Sequence, residues 1–190
     1  FQIASPLFDP KGLEHPNLSV RVGLRTYASG ATRVEVVVEN TKTWAPGARY
    51  TYDVSVTLSG ALAFEKKGLV HYHHARWRKV FWLGQEPAID VKLDGRYIMN
   101  TKAVSNYADI EIPKDRELVN IAKRTAESSG PMTIGPLVAY MPTAGGRGDI
   151  GPLPTWSVMW LLSMDRRARD AMMAAADGSG TWSIHYRDEK

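Results

Sequence analysis

The densest chemistry in this 190-residue chain is the run His71-Tyr72-His73-His74-Ala75-Arg76-Trp77-Arg78-Lys79-Val80-Phe81-Trp82. Read as one strand, it alternates between two faces. His71, His73, Trp77, Lys79 and Phe81 fall on one face, and Tyr72, His74, Arg76, Arg78 and Trp82 on the other. His71 and His73, two residues apart on a strand face, are candidate metal ligands, but they supply only two donors. A zinc-type centre needs a third, from His185 or a carboxylate, and no spacing points to it, so no metal is assigned. The second chemistry is ligand binding by Tyr72, His73, Arg76, Trp77 and Trp82. Indole and phenol faces stack on sugar rings, while Arg, His and Lys donate hydrogen bonds to hydroxyls or anionic groups. The same mixture stacks on unpaired bases. The third reading is packing, with Trp77, Phe81, Tyr72 and Trp82 forming core on both sides of a central strand.

Other groups carry less. Asp53 and Asp90 sit at polar positions of strands, and Asp109, Glu111 and Asp149 lie near loops. Carboxylates that cleave a glycosidic bond must face each other about 5–10 Å apart, which spacing alone does not show; a solvated strand face also accounts for each acid. Gly145-Gly146-Arg147-Gly148-Asp149 matches a phosphate loop in composition only, without the lysine or the strand-to-helix context. Arg147-Gly148-Asp149 spells an adhesion tripeptide that arises readily by chance. With no nucleophile–base pair and no three-ligand set, no catalytic residue and no cofactor is assigned.

The elements that must position these groups are mostly strands. Leu18, Val20, Val22 and Leu24 alternate with polar neighbours, the signature of a half-buried strand. Ala28-Ser29-Gly30-Ala31 turns the chain into a Val-rich strand over 33–39. Tyr50, Tyr52, Val54, Val56 and Leu58 give a third alternation, and Ser59-Gly60 turns it into Ala61–Lys66. Gly68 leads into a long run to Leu83. Asp94-Gly95, flanked by apolar runs over 89–93 and 97–101, predicts a hairpin. Asn40 to Arg49, with Trp44, Pro46 and Gly47, reads as a loop.

The fold class is therefore mainly β, an antiparallel sandwich or barrel over residues 18–113. Residues 1–17, with Pro6, Pro10 and Pro16, read as an extended arm whose Phe1, Ile3, Leu7 and Phe8 need a surface to lie on. Residues 114–154 combine a short helix (Glu117, Leu118, Ile121, Ala122) with a Gly- and Pro-rich connection. Residues 155–190 read as a C-terminal helix hairpin, its second helix capped by Asp165 and ended by Gly178 and Gly180.

Composition narrows the function classes. Cysteine is absent, which excludes disulfides, thiolate metal sites and cysteine nucleophiles. Hydrophobic residues make up 44% and charged residues 23%, a globular balance rather than a disordered one. No apolar run approaches a membrane span. The formal charge of +4 is interspersed with acids, so no phosphate track forms and nucleic acid is not the expected partner. The chain begins with Phe1 and stops at Tyr186-Arg187-Asp188-Glu189-Lys190 without a polar taper, and reads as a piece of a longer protein.

The stretches Asp149–Pro154, Trp156–Arg169 and Gly180–Asp188, with Asn40–Gly47 and the His71–Trp82 run, resemble the junction between a β domain and an α/α toroid. That layout occurs in large uncharacterised bacterial proteins, in polysaccharide lyases and in some glycoside hydrolases. The resemblance implies a non-catalytic, glycan-binding or accessory β domain of an extracellular or envelope protein. A toroid needs a ring of helices and this chain supplies one pair, so no catalytic residue carries over. The rival expectation is a structural subunit of a virion, appendage or surface assembly. Its partners would be copies of itself rather than glycan or the remainder of a parent chain.

Overall fold

The computed structural model describes residues 1–42, 48–88, 92–102, 114–137 and 153–185. The expectations placed on Trp44, Asp90, Asp109, Glu111, the glycine-rich stretch around Arg147 and Asp149 lie outside these residues. The chain divides into two compact units. The first holds Phe1–Ala88, Gly130–Thr133 and Asp177–Lys190, and the second holds Ile89–Ser129 and Ile134–Ala176.

The first unit is built from six antiparallel strands: β1 (Gln2–Phe8), β2 (Glu14–Thr26), β3 (Thr32–Asn40), β4 (Tyr50–Leu58), β5 (Ala61–His71) and β6 (Ala75–Leu83). They form a four-stranded sheet in the order β1-β2-β3-β6 and a two-stranded sheet, β4-β5. The N-terminal arm is thus an edge strand, β1, paired from Gln2↔Gly23 to Phe8↔Glu14.

Turn chemistry sets the hairpins. Gly30, at φ 82°, closes the β2–β3 turn, where the Gly30 amide donates to the Tyr27 carbonyl. Ser59 and Gly60 both take positive φ, 49° and 83°, the pair of left-handed residues that a tight hairpin loop requires. Lower in that hairpin the register shifts between Tyr52 and Val54, and the Asp53 carboxylate accepts the Gly68 amide at 2.8 Å.

Alternation delivers one face of the larger sheet to the core. Val34, Val36 and Val38 of β3 and Trp77 and Phe81 of β6 are buried with Val54 of β4 and Leu69 of β5; Val20, Val22, Tyr52, Val56, Phe64 and Met132 pack around them.

Two expectations fail here. The continuous strand expected across His71–Trp82 is broken at Tyr72-His73-His74. His74 takes φ 57°, its amide donates to the Asn40 carbonyl, and the Ala75 amide donates to the Tyr72 carbonyl. The chain thereby leaves the β4-β5 sheet and enters the four-stranded one beside β3. The hairpin expected at Asp94-Gly95 is a helix start: α1 spans Gly95–Asn100, and the Asp94 carboxylate accepts the Arg96 amide. Aspartate before glycine suits an N-cap as well as a turn, and here the cap prevails.

The second unit is helical over its described residues. After α1 come α2 (Asp115–Ser128), α3 (Thr155–Ser163) and α4 (Arg166–Gly178), whose last two residues belong to the first unit. Asp115 and Glu117 sit in the first turn of α2, where carboxylates complement the helix dipole. Leu118, Ile121 and Thr125 are its buried positions. Asp165 caps α4 as its residue type predicts, accepting the Arg167 amide at 2.8 Å. Ile121, Trp156 and Ala171 form a buried cluster joined by Met159, Met172 and Ala175. Among the described residues no helix is long and apolar enough to cross a membrane.

Candidate functional site

In an antiparallel sheet, residues directly opposite each other share a face. The registers of β2, β3 and β6 therefore lay out the sheet's outer face row by row. Arg25, Arg33 and Trp82 form one row, and Gly23, Glu35 and Val80 the next. Arg21, Val37 and Arg78 form a third, and Ser19, Glu39 and Arg76 a fourth. On β1, Gln2 lies opposite Gly23 and Ala4 opposite Arg21.

This face has a covered end and an open end. At the covered end the 3-10 turn Ser179–Thr181 lies against β6. Gly180 sits so close to Arg76 that a Cβ there would come 2.9 Å from its Cγ and its carbonyl oxygen. The Asp177 carboxylate pairs with Arg78, and the His185 amide donates to the His74 carbonyl at 2.8 Å. Opposite Arg76 in the ladder, the Glu39 side chain is 2% exposed, and it pairs with Arg21 at 3.0 Å.

At the open end is a depression of about 330 Å³, lined by Gln2, Arg21, Gly23, Arg25, Arg33 and Glu35 among others. Gly23 makes the hollow, because the position between Gln2 and Glu35 carries no side chain. An added Cβ would make only ordinary contact there, 3.6 Å from the Glu35 Cβ. Glu35 is the charge hub. Its Oε2 accepts from Arg33 at 2.8 Å and its Oε1 from Arg78. Partial burial opposes ionisation of Glu35, but the hydrogen bonds from Arg78 and Arg33 outweigh it and hold the carboxyl below its usual range. Burial likewise disfavours the Arg78 cation, and its bonds to Glu35 and Asp177 more than restore it. Arg25 is exposed, and among the described residues it has no carboxylate partner.

The residues singled out in the sequence separate. Trp82 is half-buried on the outer face opposite Arg33, with the Tyr27 ring at 5.4 Å. Arg76 is on the same face but under the Gly180 turn. Trp77 is turned inward, 2% exposed, and its indole N–H donates to the Tyr52 hydroxyl at 2.9 Å; it is core and cannot offer its face to a ligand. Tyr72, 47% exposed, and His73 lie at the turn before β6. They stand a strand length from Trp82, about 20 Å at the rise of a β-strand. The five do not form one surface.

His71 is fully buried, with Nδ1 2.7 Å from the Tyr52 hydroxyl and Nε2 2.8 Å from the Ala75 carbonyl. Both ring nitrogens are thus committed to protein partners. The His73 ring stacks on His74 at 3.7 Å. No cluster of three or more metal-ligating side chains occurs among the described residues.

The arginine-lined depression was not visible in the sequence as a site. Arg21 and Arg25 are polar neighbours of the Leu18–Leu24 alternation and Arg33 opens the Val-rich strand, and the hollow that unites them needs the register that places Gly23 between them. What the arrangement can do chemically is grip a flat, oxygen-rich group through planar guanidinium and carboxylate edges. Comparison with models of protein families, with curated proteins and with solved structures finds no match for this chain.

Proposed function

We propose that the first unit is a non-catalytic glycan-binding module of a larger extracellular or envelope protein, and that its binding surface is the open end of the outer sheet face. The observation that carries this reading is the depression over Gly23. It is concave, partly open, and rimmed by planar donors and acceptors from three adjacent strands. Its volume falls at the lower end of the range of ordinary ligand pockets, roughly 300–1,000 Å³. Adjacent hydroxyls of a sugar ring match the paired edges of Arg and Glu side chains, and Trp82 beside Arg33 supplies an aromatic neighbour. A two-layer sandwich, with β4 and β5 over the inner face, would leave this outer face for binding.

The rival reading, an assembling structural subunit, draws on β1, an edge strand with Ile3 and Phe8 exposed. Against it, β1 carries Pro6 and a register shift between Pro6 and Phe8. Both are devices that hinder edge-to-edge pairing.

Affinity electrophoresis of the chain through gels cast with neutral and acidic polysaccharides tests the proposal. Retardation by at least one polymer, weakened in Trp82→Ala, is the expected result. Unaltered mobility in every gel, with self-association in light scattering, would favour the rival.

A further inference from the structure

The charges around the depression do not balance. Arg21 is paired with Glu39, Arg33 with Glu35, and Arg78 with both Glu35 and Asp177. Around the hollow and along the ion-pair chain leaving it, four guanidinium groups therefore meet three carboxylates. The surplus guanidinium is Arg25, while the Phe1 ammonium, which also lines the hollow, bonds the Leu24 carbonyl. Arg25 also stands directly opposite Arg33 in the β2–β3 ladder, an arrangement of like charges that costs stability when nothing lies between them. Glu35, two residues along β3, bonds the Arg33 guanidinium on the Gly23 side, and Arg25 is left without a counter-ion among the described residues.

Resting on the glycan reading, we propose that the depression is a subsite for a singly charged oxyanion carried on the ligand, held between Arg25 and Arg33 above Gly23. One negative charge offsets the Arg25 guanidinium, which no carboxylate of the described residues meets. The Arg25 and Arg33 side chains then share an anion instead of repelling, and charge-assisted hydrogen bonds from two guanidinium groups orient it. A doubly charged phosphate monoester is disfavoured, because Glu35 lines the same hollow and its carboxyl is held ionised by Arg78 and Arg33. A sugar carboxylate and a sugar sulfate ester both satisfy the requirement, and they share the chemistry of a monoanionic, oxygen-bearing group.

The test compares four polymers by affinity electrophoresis near physiological salt, where diffuse attraction is screened beyond roughly 8 Å. Polygalacturonate is set against its methyl ester, and dextran sulfate against dextran. A charged polymer should retain the chain about tenfold more strongly than its neutral counterpart, and the retained arm names the carboxylate or the sulfate as source. Arg25→Gln removes the unpaired charge at an exposed position. Gly23→Val fills the floor of the hollow with a residue suited to a strand and leaves every charge in place. Each should abolish the preference. Equal retention of charged and neutral polymers overturns the oxyanion subsite while leaving the glycan reading standing. A preference that survives either variant overturns it as well, since the attraction then lies elsewhere or is diffuse. Absence of retention by all four polymers removes the glycan reading and the subsite together.

Discussion

The Tyr52 hydroxyl and Nδ1 of His71 lie 2.7 Å apart, and their neighbours fix which of them donates. His71 Nε2 faces the Ala75 carbonyl at 2.8 Å; a carbonyl only accepts, so Nε2 carries the hydrogen. Nδ1 of the neutral ring then accepts from Tyr52, whose oxygen accepts in turn from the Trp77 indole. One directed chain runs from β6 through β4 to β5 and back to the start of β6. Burial pushes the Tyr52 hydroxyl up to about 12, with the Trp77 bond a smaller opposing effect, so this proton stays in place throughout the ordinary pH range.

Protonating His71 breaks the chain: Nδ1 would become a donor, and the buried Tyr52 O–H would lose the acceptor it now uses. Burial holds the His71 pKa below its ordinary 6.5, against a smaller opposing effect of the Ala75 bond. The sign follows by linkage: below about pH 6.5 the unfolded chain binds a proton that the folded chain resists, so stability rises with pH in that window. Stability should be complete above pH 6.5 and fall steadily as pH drops towards the folded-state value. His15, also lowered by partial burial, acts in the same direction. Urea melts between pH 5 and 7.5 should therefore show a reduced slope in His71→Gln, not a flat one. An unchanged slope in that variant would show that His71 is not the sensor.

Tyr52→Phe keeps the ring and deletes the link. It strands the Trp77 N–H and the His71 Nδ1 in the core, and each buried group left unpaired costs about 1–3 kcal/mol. Trp77→Ala should cost about 3–5 kcal/mol from lost burial and the cavity left behind, a loss of the same order as the two stranded groups together. Thermal melts rank the two. If Trp77→Ala folds as stably as the parent chain, the inward placement of Trp77 is wrong.

The strands were legible because Val34, Val36 and Val38, or Val54 and Val56, announce period two without ambiguity. Their partners were not. The sheet order β1-β2-β3-β6 skips two strands, so Trp82 beside Arg33 follows from a crossover that no local pattern encodes, whereas the hollow at Gly23 lies among β1, β2 and β3 and depends on the register of two successive antiparallel pairs. The break at His73-His74 was hidden for a related reason: histidine is not a turn residue by type, and no glycine or proline punctuates the run from Leu69 to Leu83. His74 accepts a positive φ because its amide reaches the Asn40 carbonyl, a tertiary cause. At Asp94-Gly95 the same dipeptide serves a hairpin or an N-cap, and the residues that follow decide between them.

The segment over the covered end of the sheet depends on Gly180. A Cβ there would meet Arg76 at 2.9 Å on a backbone oxygen as well as on the side chain; the carbonyl is fixed in β6 and cannot step aside. Gly180→Ala should therefore lift residues 179–185 from the sheet at a cost of about 1–3 kcal/mol, the usual range for overpacking. Amide exchange should accelerate at His185, whose N–H bonds the His74 carbonyl. Retained protection there would show that the turn accommodates the methyl group.

Two glycines should respond to alanine in opposite ways. Gly135 has φ 68°, and its added Cβ would stand 2.7 Å from the Ala174 carbonyl oxygen and 2.9 Å from the Ala175 Cα. Both neighbours are α4 backbone, so the second unit must either strain a left-handed residue or give up the approach of this loop to the helix. A loss of about 1–3 kcal/mol or more is expected, since strain and overpacking act together. Gly23 lies in regular strand backbone, and its Cβ would meet only Glu35 at 3.6 Å. Alanine there restricts the unfolded chain and suits a strand better than glycine, so Gly23→Ala should leave stability unchanged or raise it by a few tenths of a kcal/mol. Differential scanning calorimetry of the two variants separates them: if Gly23→Ala proves as damaging as Gly135→Ala, the floor of the depression is not the open space described.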